Sequence, residues 1–166
     1  RYIYTDAFGP RIGPLPLAIP LAWIVIVLPL LRIACRAGGG RFLLLIGVPL
    51  ATVAVDLLLE PVAWDRRGYW IWLEPTGFWY GVPELNFFGW FATSLLILLA
   101  SLPLLDLPTR QRLARPAPLS VIVPASVVGI FSLTATVSGY LAASILGFIL
   151  LGLLLLSLRL KKRLKN

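Results

Sequence analysis

Apolar positions in this chain come in blocks rather than in alternation. Five blocks, residues 15–31, 42–64, 86–105, 119–138 and 140–158, are each of about the length a helix needs to cross the roughly 30 Å hydrocarbon core of a bilayer. The segments between them, 32–41, 65–85 and 106–118, are short and carry most of the charge, and the chain ends on the basic stretch 159–166. This pattern predicts an all-α, polytopic transmembrane helix bundle of about five spans, forming a single integral membrane domain over residues 1–166. Pro20 and Pro29 fall inside the first block, where neighbouring helices can satisfy the carbonyls they free. The last two blocks read as an uncharged hairpin around Gly139. In it Gly139, Ala143 and Gly147 repeat at i+4 as a small-residue seam for close helix packing.

One block breaks its own pattern. Asp56 and Glu60 lie in the second half of 42–64, with Asp56 roughly 21 Å along a helix at about 1.5 Å per residue. A carboxyl group at that depth is a functional-site hypothesis by default. At i and i+4 the two share one helix face. Pro61 follows at once; it disfavours helical geometry at Glu60 and leaves the Leu57 carbonyl without its helical donor. Irregular backbone at that depth is tolerated only against protein or a wet cavity, so the helix is expected to end into a pocket. Two readings stand side by side: a buried polar pair that ties helices together, and acid–base or metal chemistry in a membrane pocket. A carboxylic acid kept neutral by an apolar site can donate a proton.

Composition narrows the chemistry. The 166 residues are 59% hydrophobic and 13% charged, with no histidine and one cysteine. Zinc and haem sites are therefore not expected, and carboxylate-bound Mg²⁺ is the one metal left open. No glycine-rich dinucleotide fingerprint is present either, so no cofactor is expected. Cys35 reads as an inert small residue. The net charge of +8 does not point to nucleic acid, because the cations sit in loops and at the C-terminus, where topology determinants belong. With a cytoplasmic C-terminus and five spans, eleven Lys and Arg fall inside and only Arg1, Arg11, Arg66 and Arg67 outside. The expected location is a cell (inner) membrane, with the basic end anchoring to headgroups. The chain begins at Arg1 and contains no methionine, so upstream helices are expected in addition, and no signal peptide is recognisable.

Residues 56–90 concentrate the remaining polar chemistry. They hold five of the seven acidic residues and five of the six tryptophans. The aromatic residues Trp64, Tyr69, Trp70, Trp72, Trp79, Tyr80 and Trp90 read either as an interfacial belt or as a slot whose ring faces bind a flat apolar ligand and stabilise a carbocation. Glu84 and Asn86 precede or open the third block. Asn86 is a candidate N-cap, and Glu84 is expected to stay ionised at the helix N-terminus, where it could orient water. Asp6, five residues before Arg11, reads as a local salt bridge beside Tyr2 and Tyr4.

Three segments resemble a known family. YTDAFGPRIGPLPLAIPLAWIVIVLP (residues 4–29), VAVDLLLEPVAWDRRGYWIW (53–72) and YGVPELNFFGWF (80–91) are similar, in order and spacing, to signatures of the carotenoid biosynthesis membrane family that includes carotenoid 1,2-hydratases and bisanhydrobacterioruberin hydratase. The second follows D-x-x-x-D/E-P…W-x-W, with Glu60 where many members carry Asp; the third follows Y-G-V-P-x-x-N-F-x-G-W. The resemblance implies an integral membrane lyase (hydro-lyase) that adds water across the terminal C=C of an acyclic carotenoid end taken from the bilayer, giving a tertiary alcohol. In that scheme Asp56, before Glu60, protonates the alkene, and Trp70, Trp72 and Trp79 face the cation. Water is polarised by the other carboxylate or by Glu84 and Asn86. Association with other carotenoid biosynthesis enzymes is conceivable on the same grounds. Two rivals remain: a Mg²⁺-dependent prenyl-transferring enzyme using Asp56 and Glu60, and a non-catalytic carotenoid-binding or assembly protein.

Overall fold

A computed structural model describes residues 1–158; the basic stretch 159–166, counted above for topology, lies outside the described residues. Four helices are long and apolar enough to cross a membrane: Ala18–Arg36 (α1), Leu43–Arg66, Glu84–Leu104 and Leu119–Val137 (α5). A fifth apolar helix, Leu141–Ser157 (α6), has 17 residues. The protein is an all-α membrane bundle, and each of the five expected blocks holds one of these helices.

The boundaries differ from the sequence pattern in ways that chain chemistry explains. Residues 15 and 16 are not helical. Leu15–Pro16 (β3) pairs with Arg11–Ile12 (β2), and the Leu17 N–H donates to the Pro10 carbonyl at 2.9 Å. Pro14 and Pro16 disfavour helical geometry in the residue before each, so the first span starts at Ala18. It then runs past residue 31 to Arg36, because Leu31, Ala34 and Cys35 are buried on its inner face. Arg32 and Arg36 extend from this end to the carbonyls of Arg115 (2.9 Å) and Leu158 (3.2 Å). The second basic loop also contains structure. Asp106 accepts the Thr109 N–H at 2.8 Å and caps a short helix, Leu107–Leu113 (α4), against α1.

The second span is wound in three parts: a π-helical turn at Leu43–Gly47, an α-helix at Val48–Glu60 (α2), and a second π-helical turn at Pro61–Arg66. Pro61 therefore does not end the helix, as its sequence position suggested. The chain continues in a wider winding for six more residues. The third span is Glu84–Ser101 (α3) with a 3-10 turn at Leu102–Leu104. Its first helical residue is Glu84, so Asn86 lies inside the first turn rather than capping it.

Two apolar clusters hold the bundle. One joins Val27, Leu31 and Cys35 of α1 to Leu44, Val48 and Leu98; the other joins Leu58 and Val62 to the α5–α6 hairpin. Of the predicted seam, Ala143 is fully buried and Gly147 sits so close to Ser132 that an added Cβ would collide with its hydroxyl and meet Leu58 Cδ1 at 2.8 Å. Gly139 has open space instead and serves the turn, with φ +81°. Thr136 and Ser144 share a 2.6 Å hydrogen bond across the hairpin.

The fold also fixes where topology can be probed. Cysteine at position 77 would run into the Val82 carbonyl and at position 39 into Leu43, whereas Gly40 and the exposed Thr76 accept a side chain. Gly40→Cys and Thr76→Cys should react with an impermeant thiol reagent from opposite faces of the membrane. Native Cys35, fully buried, should stay silent. Labelling of both positions from one face would overturn the arrangement in which residues 37–42 and 73–83 lie on opposite sides.

Candidate active site

The site grows from the outer half of α2. Val55, Leu58 and Val62 bury one side of this helix against the bundle. The i, i+4 spacing places Asp56 and Glu60 together on the face toward α3, at 1% and 2% exposure. Asn86, in the first turn of α3, meets them. Its Nδ2 donates to Asp56 Oδ2 at 2.8 Å and to Glu60 Oε1 at 2.8 Å. One amide thus spends both of its hydrogens on two carboxyl groups. Asp56 Oδ1 is buried with no hydrogen-bond partner.

Strand periodicity supplies the next layer. Trp70–Trp72 (β4) pairs antiparallel with Tyr2–Tyr4 (β1), with Tyr2 opposite Trp72 and Tyr4 opposite Trp70. Side chains two apart on a strand share a face, so both indoles turn inward while Ile71 faces out. Trp70 Nε1 and Trp72 Nε1 both donate to Glu60 Oε2, at 3.3 and 3.2 Å. Tyr2 and Tyr4 share the matching face of β1, with Tyr2 edge-on to Trp72 at 5.0 Å and Tyr4 to Trp70 at 6.3 Å. Trp90, one turn beyond Asn86, packs against Trp23 of α1 at 4.6 Å. Tyr2, Tyr4, Ile19, Glu60, Trp70, Trp72, Asn86 and Trp90 line a small cavity of about 50 Å³, and Asp56 is not part of its wall.

This cavity has two neighbours. A vestibule of about 420 Å³ shares Tyr2, Tyr4, Trp72, Asn86 and Trp90 with it and extends to Arg1 and Thr93. An apolar groove of about 320 Å³ shares Ile19, Trp70 and Trp90 with the cavity. It runs along α1 and α5 between Trp23, Ile26, Tyr69, Val127 and Phe131. Val25, Ile26 and Val127 also line a narrow continuation of it toward Pro29 and Leu154.

The aromatic residues of 56–90 therefore divide. Trp70, Trp72 and Trp90 line the carboxyl cavity, and Tyr69 lines the groove, stacked on Phe8 at 4.8 Å. Trp79 and Tyr80 pack against the α5–α6 hairpin, and Trp64 lies outside the wall of the carboxyl cavity. Trp79 Nε1 donates to the Leu57 carbonyl at 2.8 Å, which is the acceptor that Pro61 leaves without its helical donor. A tight turn aims it there, with Tyr80 and Gly81 at φ +50° and +81°. Tyr80 receives the Ala142 N–H at 3.0 Å and stands edge-on to Tyr140, whose hydroxyl donates to Asp65 at 2.5 Å. The Trp64 side chain comes within 3.4 Å of an added Cβ at Gly81.

Glu84 is not brought to the pair. Its exposed carboxylate accepts the Phe78 N–H at 3.1 Å and fastens the turn to the start of α3. Arg66 and Arg67, the cations nearest in sequence, line a separate cavity with Leu133, Thr134, Val137 and Ser138. Among the described residues no three His, Cys, Asp or Glu side chains gather where they could hold a metal ion. Asp6 pairs with Arg11. Tyr2, Tyr4 and Trp23 are the wall residues that the residue pattern does not assign to a site. The only signal for them is the i, i+2 spacing of two tyrosines at one end of the chain and of two tryptophans in 65–85.

A family model described as "Carotenoid biosynthesis protein" matches residues 1–156, and the chain belongs to that family. No curated protein and no solved structure matches it.

Proposed function

Within a carotenoid biosynthesis family, we propose that this integral membrane protein is a hydro-lyase. It adds water across the terminal C=C of an acyclic carotenoid end. The observation that carries the reading is the Asp56–Asn86–Glu60 bridge, a buried carboxyl pair held by one amide, with Glu60 in the wall of a small cavity that adjoins an apolar groove. No salt bridge reaches the pair among the described residues. Two carboxylates this close, away from water and cations, cannot both stay ionised, so the pair holds a proton between them.

The polyene lies in the α1–α5 groove, reached from the bilayer, with its terminal alkene past Trp70 and Trp90. The acid, Asp56, whose Oδ1 is unpartnered, gives its proton to the less substituted alkene carbon. The tertiary cation forms against the indole faces. Water adds its oxygen to that cation and returns a proton to the carboxylate pair, which restores the site. Asn86 holds the two carboxyls in register, and Trp70 and Trp72 keep Glu60 turned toward the cavity.

The test is expression in a host that accumulates acyclic carotenoids, followed by incubation of membranes in ¹⁸O-water without oxygen or reductant. The product should be a tertiary alcohol heavier by one labelled water. Label arriving from O₂, or no added water at all, would overturn the reading. The diphosphate alternative gains nothing from the geometry, because Arg66 and Arg67 line a different cavity. A chain that only holds pigment should leave the pigment profile unaltered when the carboxyls become amides.

A further inference from the structure

We propose that Tyr4, paired with Tyr2, holds the attacking water in the 50 Å³ cavity beside Glu60, and that this water enters from the Arg1 vestibule. The inference rests on the hydration reading and adds to it the origin and position of the nucleophile.

Trp70 and Trp72 each have one N–H, and both are used on Glu60. The two hydrogens of Asn86 Nδ2 are used on Asp56 and Glu60. Ile19 offers nothing. What remains is Asn86 Oδ1, the Trp90 indole N–H and the tyrosine hydroxyls. Tyr2 and Tyr4 lie 3.1 Å apart at oxygen, so one of their two hydroxyl hydrogens is used between them and the other is free. That hydrogen and the Trp90 N–H are the donors left in the wall for a water that itself donates to Glu60. A cavity of about 50 Å³ holds one or two waters, each needing two or more polar partners, and these groups supply them.

Access follows from the same residues. Tyr2 is 42% exposed and lines the vestibule as well as the inner cavity, whereas Tyr4 is half-buried. The hydroxyl pair therefore bridges the solvent-facing and the carboxyl-facing sides. Burial, Tyr2 and the nearby Glu60 all push the Tyr4 hydroxyl above the usual tyrosine range, so it remains a hydrogen-bond donor and does not compete with the carboxyls for the catalytic proton. The apolar groove adjoins the cavity at Ile19, Trp70 and Trp90.

Tyr4 is a positioning residue for capture, not for protonation, and the two steps can be read apart. In D₂O, protonation places deuterium on the less substituted alkene carbon. If water adds, the product is a deuterated alcohol. If it does not, the cation sheds a carbon-bound proton and returns as unhydrated substrate carrying deuterium. Wild-type membranes given an acyclic carotenoid should yield mostly alcohol. Tyr4→Phe should lower alcohol formation about tenfold or more while exchange into recovered substrate persists, so the exchange-to-hydration ratio rises by a similar factor. Tyr2→Phe should raise it less, since Asn86 Oδ1 and Tyr4 remain. If Tyr4→Phe lowers hydration and exchange in proportion, or changes neither, the water-site proposal is overturned. If the wild type shows neither exchange nor hydration, the hydration reading itself fails first.

Discussion

Asp56→Asn should give a folded protein whose hydration rate is down by about 100-fold or more, the usual scale for loss of a general acid. The geometry makes the fold outcome specific. Asp56 already has one buried oxygen without a partner, and its other oxygen accepts from Asn86 at 2.8 Å. An asparagine of the same shape keeps an oxygen for that bond and exchanges one unpaired atom for another. Its stability should therefore shift by no more than about 1 kcal/mol. The measurement pairs thermal unfolding in detergent with carotenoid mass analysis from the same membranes. An alcohol yield near wild type from a well-folded Asp56→Asn protein would remove Asp56 as the proton source. Rate and stability collapsing together would instead make the pair a structural tie between α2 and α3.

The contrast between the carboxyls and their surroundings marks what the chain discloses about itself. Helix position was legible because membrane helices announce themselves by long uncharged runs, and the i, i+4 carboxyls by interrupting one. Pro61 was legible in one respect and not in another. It left the Leu57 carbonyl without its helical donor, and Trp79 supplies the replacement. It did not terminate the helix, because a π-helical turn accommodates the proline and carries the chain on to Arg66. The start of α1 was misplaced because hydropathy registers Leu15 and Leu17 but not the prolines around them. The pocket wall was the least legible part. Tyr2 faces Trp72 across 70 positions of sequence in a ladder of three-residue strands, too short for any periodicity to show. Asn86 carried a plain helix-start signal, yet its amide turns into the bundle because two buried acceptors outbid a backbone N–H that water can serve. The division of the tryptophans is likewise a tertiary fact: Trp70, Trp72 and Trp79 look alike in sequence, but two serve a carboxyl and one a backbone carbonyl.

Glu60→Gln should behave unlike Asp56→Asn, losing stability together with activity. Glu60 is surrounded by donors: Asn86 at Oε1 and both Trp70 and Trp72 at Oε2. An amide has one acceptor oxygen. If that oxygen faces the indoles, the new NH₂ points at the NH₂ of Asn86. If it faces Asn86, the NH₂ points at two indole N–H groups. Either way at least one buried donor loses its partner, a loss of about 1–3 kcal/mol that should appear as a lower unfolding temperature in detergent. Hydration should fall to a small fraction of wild type, since the remaining carboxyl has neither its neighbour nor its register. Glu60→Asp keeps both acceptor oxygens and shortens the reach by one methylene. It should therefore retain most of the activity and stability. The indole fluorescence of Trp70 and Trp72 reports which case holds: it should stay near wild type in the Asp variant and shift toward a looser environment in the Gln variant. A Gln variant that is as stable and as active as wild type would show that Glu60 is not what those three donors converge on.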